Sequence, residues 1–347
     1  MNEIEQIKKI RKPIIEWYQK NKKPLPWRKE KNPYHIWLSE IMLQQTRIEA
    51  VKTYYKRFLE EIPTIQDLAE IEEEKLLKLW EGLGYYNRAR NLKKAAEMIQ
   101  KNHKGQMPKT YQELLQLPGI GEYTAGAISS IAYNEPVPAV DGNVLRVISR
   151  VIGSKKDVLE NKTKKEFTEI LKEIMPKQAG DFNEGLMELG ELICIPNGET
   201  ICQKCPLQEF CVAKKEALTD IIPVRNQKIK RKKEDITVFL LEFEGEFAIQ
   251  KRSKTGLLAN MYEFPNVLKK VQSKKIENIL KNWEITTSHK IKKVGSHHHV
   301  FSHVEWDMIG YQIQVTKKNK DFIWKSKEEI LKDYAIPGAF MPFLRKI

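Results

Sequence analysis

The spacing of apolar residues changes once along these 347 residues, and that change limits the chain to two folding units of different class. Up to about residue 222, apolar side chains recur at helical intervals over 36–59, 72–79, 91–101, 123–132, 143–152, 164–174 and 183–192, with Pro or Gly between many of the stretches. This predicts a mostly α N-terminal domain over 1–222. Residues 223–235 are apolar-poor and carry Arg225, Lys228, Lys230, Arg231, Lys232 and Lys233, so they read as a basic linker. Beyond it, 236–243 and 246–252 are β-rich and separated only by Glu244 and Gly245, as in a hairpin. A further strand is expected at 304–315, and a helix at 327–333 behind a capping box of Ser326 and Glu329. The C-terminal domain, 236–347, is therefore α+β.

Composition narrows the partners. With 60 basic against 46 acidic residues the net charge is +14, which favours a polyanion through phosphate neutralisation. No run of eighteen apolar residues exists, and the charged N-terminal stretch lacks a signal-peptide core. A soluble, cytoplasmic protein without a membrane partner is expected. All four cysteines fall within one short stretch, as Cys194-x7-Cys202-x2-Cys205-x5-Cys211. That is the wrong distribution for a disulfide framework and the right one for a single metal site. The spacing alone leaves zinc and an iron-sulfur cluster both open, although a single C-x-x-C weakens a zinc ribbon.

Three segments carry candidate chemistry. In Leu117-Pro118-Gly119-Ile120-Gly121-Glu122-Tyr123-Thr124-Ala125, Gly119 and Gly121 allow a tight turn whose backbone N–H groups open a helix, a site for phosphate; an ordinary turn between helices is the alternative. Asp141 stands between an apolar segment and a new helix. It can cap that helix, and the same donors would keep it ionised to stabilise a cationic transition state. Glu40 lies in Ile36-Trp37-Leu38-Ser39-Glu40-Ile41-Met42-Leu43, which is apolar nearly all round. Burial there raises a carboxyl pKa toward that of a general acid, unless an arginine such as Arg28 pairs with it. Glu40 in an apolar site and Asp141 in a polar one would suit acid-assisted glycosidic cleavage. Gln44-Gln45-Thr46 continue the Glu40 helix, and Gly82-Leu83-Gly84-Tyr85-Tyr86 is a Gly-hinged turn exposing two aromatics. Amides and aromatics of this kind can fill the gap left by an extruded base.

Together these segments resemble the MutY-type adenine DNA glycosylases, a branch of the helix-hairpin-helix superfamily that includes endonuclease III. The resemblance rests on Leu25-Pro26-Trp27-Arg28, residues 39–46, 82–91, 117–126 and 140–144, and the four cysteines. It implies a six-helix barrel and an iron-sulfur module enclosing a pocket, with Cys194, Cys202, Cys205 and Cys211 holding a [4Fe-4S] cluster. The family's usual spacing has six residues between the first two cysteines, one fewer than here. The implied activity is excision of adenine mispaired with 8-oxoguanine, or opposite G, from double-stranded DNA by a monomer. By matching position, Glu40 would protonate adenine N7, Asp141 would stabilise or capture the oxocarbenium ion, and Asn143 would orient Asp141 or the water. Glu184 matches an adenine-contacting position, and Gln45 and Tyr86 match intercalating ones. Tyr123 stands where bifunctional relatives have a lysine nucleophile, which implies a monofunctional glycosylase.

The C-terminal part resembles the family's MutT-like (Nudix) domain, with 256–265 as its signature. No acidic R-E-x-x-E-E helix follows Pro265, so it should recognise and not hydrolyse. Phe301-Ser302-His303 matches the loop that inspects 8-oxoguanine, where Ser302 could accept the N7 hydrogen that guanine lacks. The adjacent His297-His298-His299 alternate faces in a strand and are expected to contact solvent or phosphate, not metal. Two other functions fit less of the sequence: a thymine glycosylase for G·T mismatches, and a non-catalytic iron-sulfur DNA-binding protein.

Overall fold

The computed structural model describes residues 3–196, 199–226, 230–287 and 291–347. Lys228 of the basic stretch lies outside the described residues. The chain forms two compact units, Met1–Glu70 with Asn91–Gln227, and Ile71–Arg90 with Lys228–Ile347. Residues 71–90, which apolar spacing kept within a domain of 1–222, thus pack with the C-terminal unit.

The first unit is helical. Its longer helices include Pro33–Leu43, Ile48–Glu61, Glu122–Tyr133, Gly142–Ile152 and Ala179–Leu192. The continuous helix expected over 36–59 is two helices, because Gln44 leaves the helical region with ψ 108° and Gln45 takes φ 60° at the break. The two pieces have different surroundings. The first buries nearly every residue from Tyr34 to Met42, whereas the second buries only Val51, Tyr55 and Phe58 along one stripe. Gly142–Ile152 packs Val144, Val147, Ile148 and Val151 against Phe167, Phe182, Leu186 and Leu189, which fixes the direction in which its N-terminus points. Helix Glu122–Tyr133 passes so close to the chain before Asp141 that a Cβ on Gly126 would lie 2.4 Å from the Pro138 carbonyl oxygen.

The second unit is built on a seven-stranded sheet. Its strands are β1 (Lys232–Phe243), β2 (Glu246–Lys251), β3 (Tyr262–Glu263), β4 (Asn266–Val267), β5 (Lys292–Val300), β6 (Val304–Gln314) and β7 (Ile323–Ser326). The main path is β3-β2-β1-β6-β5, with β4 on β1 and β7 on β2. The β1–β6 pair is parallel and the remaining pairs are antiparallel. The β1–β2 hairpin turns at Glu244 and Gly245, both with positive φ (49° and 82°), as a two-residue turn matched to strand twist requires. Alternation along β1 feeds two cores: Ile236, Val238 and Leu240 meet Trp306, Phe340 and Phe343, while Phe239 and Leu241 meet Leu280, Ile309 and Ile313. β1 starts at Lys232, so the end of the expected linker is strand. Segment 71–90 is tied in by side chains: Glu81 accepts from the Ile336 amide at 2.8 Å, Lys78 donates to the Tyr334 carbonyl at 3.0 Å, and Asn260 donates to Glu73 at 2.8 Å. The helix Lys327–Asp333 has its capping box of Ser326 and Glu329.

The approach at Gly126 carries a stability prediction. Gly126→Ala gains about 1 kcal/mol of helix propensity but forces a methyl into a backbone oxygen, so it should destabilise the helical unit by about 1–3 kcal/mol. The check is the unfolding midpoint in urea, and an unchanged midpoint would contradict the packing.

Candidate active site

Helix Glu122–Tyr133 begins at Gly121, which provides no side-chain cap, so its first-turn amides await another acceptor. The two glycines before it serve different purposes. Gly119 has φ +78°, and a Cβ there would also meet the Asn91 Cβ at 2.6 Å. Gly121 has φ −95° and nothing within 4 Å of a would-be Cβ, so its missing side chain leaves room at the helix start.

Tyr123 turns inward from that helix, and its hydroxyl donates to Glu40 Oε2 at 2.5 Å with Met187 Sδ 3.3 Å away. Glu40 rides on Pro33–Leu43, whose start is set by Pro33 and by Asn32 Oδ1, which accepts from the amides of Tyr34 and His35. The helix carries this carboxyl into an apolar interior, where it is 7% exposed. Burial outweighs the phenolic hydrogen bond and pushes the Glu40 pKa up to about 7, with the Glu184 and Asp141 carboxylates acting in the same direction. Arg28 is not its partner. The guanidinium donates Nε to Glu184 at 2.8 Å and Nη1 to Glu188 at 2.7 Å, so the arginine pair weighed for Glu40 is made by two other carboxylates.

Asp141 caps Gly142–Ile152: Oδ1 accepts from the Val144 amide and Oδ2 from Asn143 Nδ2, both at 2.8 Å. Asn143 is itself held, because Arg146 Nη2 donates to its Oδ1 at 2.8 Å while Arg146 Nε donates to the Cys194 carbonyl at 2.7 Å. Gly190 makes room for this arrangement, since a Cβ there would stand 2.6 Å from the Asn143 Cβ. Burial raises the Asp141 pKa, and the Val144 and Asn143 donors pull it back. Asp141 is only partly buried and has two donors, whereas Glu40 is buried and has the Tyr123 hydroxyl as its donor.

Glu40, Tyr123, Asp141 and Asn143 line one cavity of about 780 Å³, together with Arg28, Gln45, Gly119, Gly121 and Glu184. Glu188, Met187 and Arg146 were not singled out from the sequence; the four-residue spacing of Glu184 and Glu188, which turns both toward Arg28, was the available signal for the first.

The remaining candidates lie elsewhere. Tyr86 belongs to the C-terminal unit and is 6% exposed, whereas its neighbour Tyr85, at φ 48°, is 47% exposed. Of the two aromatics expected at the surface only Tyr85 is there, so Tyr86 stands as a buried residue beneath the outward one. The turn is braced from below: Arg88 lies over the Trp80 ring and donates to the Leu83 and Gly84 carbonyls at 2.8 and 3.1 Å. Phe301, Ser302 and His303 form the β5–β6 turn, closed by the Phe301 amide donating to the Val304 carbonyl at 2.8 Å. Ser302 Oγ is 3.2 Å from His303 Nδ1, and Phe301 packs against His299 and Trp306. His297 and His299 share one side of β5, while His298 reaches Asp307 at 2.7 Å; among the described residues no such group is arranged to hold a metal ion. The four cysteines form no disulfide and line one pocket, where Arg150 Nη1 lies 3.2 Å from Cys194 Sγ and Cys211 Sγ lies 3.4 Å from the Arg150 carbonyl oxygen.

The raised Glu40 pKa has a sign that can be measured. Its folded value of about 7 lies above the ordinary 4.5, so the stability tied to its neutral form is fully present below about 4.5 and is lost as pH rises through about 7. Glu40→Gln removes the buried charge. In denaturant unfolding it should exceed the parent in stability by on the order of 3 kcal/mol near pH 8.5. The gap should close toward pH 5, and a pH-independent difference would contradict the assignment.

A family model described as HhH-GPD superfamily base excision DNA repair protein matches residues 38–177, and a NUDIX domain matches 237–346. The adenine DNA glycosylase of Buchnera aphidicola subsp. Schizaphis graminum is 38% identical over 84% of this chain and 83% of its own length. The Schizosaccharomyces pombe adenine DNA glycosylase is 32% identical over 94% and 86%, and the Homo sapiens one 31% over 90% and 67%. Among solved structures, a thermostable thymine-DNA glycosylase aligns at TM-score 0.55 and 29% identity, covering 61% of this chain and 98% of that one. A non-covalent endonuclease III–DNA complex aligns at 0.54 and 25%, covering 63% and 99%. No helix among the described residues is long and apolar enough to cross a membrane. The chain belongs to the adenine DNA glycosylase family of the HhH-GPD superfamily, and it is a DNA N-glycosylase of base excision repair.

Proposed function

We propose that this protein, acting as a monomer on double-stranded DNA, removes adenine paired with 8-oxoguanine or guanine and leaves an abasic site. The observation that carries the reading is Glu40, a buried carboxyl with its pKa raised to about 7 that shares one cavity with Asp141. With adenine turned into that cavity, Glu40 donates its proton to N7. The C1′–N9 bond breaks with its electron pair passing to the base. Asp141, its carboxylate oriented by Val144 and Asn143, stabilises the cationic sugar. Water then adds to C1′ and gives its proton to Asp141. Arg28 and Glu184 form the polar wall that contacts the base, and Gln45 fills the gap it leaves. The uncapped amides after Gly121 receive a phosphate.

Tyr123 cannot act as an amine, and burial with the nearby carboxylates holds its hydroxyl protonated. This supports hydrolysis without a Schiff base. Ser302 is the residue that tells 8-oxoguanine from guanine. In the NUDIX-matched domain the helix Ser273–Asn282 has one acid, Glu277, which supports recognition in place of hydrolysis.

The four cysteines line one pocket together, and four thiolates gathered in this way suit a [4Fe-4S] cluster. Such a cluster would fasten the 194–211 loop to Arg150 and to the helix that presents Asp141. Anaerobically purified protein should contain iron and sulfide, and stoichiometric zinc would overturn this assignment.

The deciding assay uses duplexes with A opposite 8-oxoguanine and with T opposite G. Alkali-dependent cleavage at A in the first and none in the second is expected, with the rate falling as pH rises through about 7 and lost in Glu40→Gln and Asp141→Asn. Preference for the G·T duplex, which the likeness to a thymine-DNA glycosylase keeps in view, would sink the proposal. Borohydride should trap no DNA adduct, and efficient trapping would overturn the reading of Tyr123.

A further inference from the structure

The basic stretch between the two sequence domains reads as a linker, yet its Arg231 is engaged through both Nε and Nη1 of its guanidinium. Nε donates to the Phe301 carbonyl at 3.1 Å, and Nη1 lies 3.6 Å from Glu305 Oε1. The next residue adds a backbone tie, with the Lys232 amide donating to the His303 carbonyl at 3.0 Å. These two bonds grip the β5–β6 turn on either side of Ser302, and the Phe301–Val304 bond closes it from within. Glu305 is in turn flanked by His298, whose Nε2 stands 4.0 Å from its other oxygen.

We infer that Arg231 is a positioning residue for the Phe301–Ser302–His303 turn, holding Ser302 where it reads the base opposite adenine. The inference rests on the proposed reading of Ser302. A planar guanidinium can hold a carbonyl and a carboxylate at once, whereas an ammonium presents a single point of contact. A three-residue turn leading from the edge strand β5 has few internal bonds, so one side-chain clamp decides how often Ser302 is in register.

The experiment compares single-turnover excision from A·8-oxoguanine and A·guanine duplexes by the parent, Arg231→Ala, Arg231→Lys and Ser302→Ala. Arg231→Ala should lower the preference for the 8-oxoguanine duplex about fivefold, the effect of losing one hydrogen bond. The A·guanine rate and the unfolding midpoint should stay unchanged. Arg231→Lys should fall between parent and alanine variant. If Ser302→Ala narrows the preference and Arg231→Ala does not, the positioning role is wrong and the function stands. If Ser302→Ala leaves the preference intact, the reading of the turn fails and the inference with it. Arg231 could instead meet a phosphate; Arg231→Ala would then weaken both duplexes equally and reduce the salt dependence of binding, which would also overturn the inference.

Discussion

Much of the catalytic unit depends on a carboxyl group kept out of water. Glu40 costs stability wherever it is charged, and Tyr123 is its hydrogen-bond donor within the cavity. The surrounding architecture keeps that arrangement in place. An Asn32 cap starts the helix, apolar neighbours bury it, and the break at Gln44 ends it where Gln44 and Gln45 line the cavity. Arg28 is drawn away to Glu184 and Glu188, so its charge reaches Glu40 only at a distance and leaves the pKa high. Had the arginine paired with Glu40 directly, the same residues would have made a stable ion pair and no acid.

Asp141 meets the opposite requirement by the opposite means. It is partly buried at a helix start, where its carboxylate accepts from the Val144 amide and from an asparagine side chain two residues on. The donors come with the position, so one aspartate both begins the helix and supplies the second carboxylate. Its orientation reaches outward through Asn143 and Arg146 to the carbonyl of Cys194, so the cysteine loop and the cavity share a mechanical support.

The helical character of the first unit, the β1–β2 hairpin, the final capping box and part of the cavity lining were legible in the sequence, because each depends on local spacing or on a short motif. What was not legible depended on partners distant in the chain. The break after Leu43 follows from what two helices pack against, and apolar spacing runs through it unchanged. Tyr85 and Tyr86 are chemically equal as neighbours, and only the turn's backbone, with Tyr85 at positive φ, decides which faces out. Arg28 offered one cation and three carboxylates to choose among; the choice of Glu184 and Glu188 is made by the helix Ala179–Leu192, which is remote in sequence.

The allocation of residues 71–90 to the C-terminal unit gives that unit a discontinuous chain. Its first strip leaves the ribosome before any of 91–227, and Asn260, Tyr334 and Ile336, the partners of Glu73, Lys78 and Glu81, follow only after them. A cut in the basic stretch would therefore not separate two self-sufficient modules; it would leave a helical fragment carrying a strip whose hydrogen-bonding partners are on the other piece.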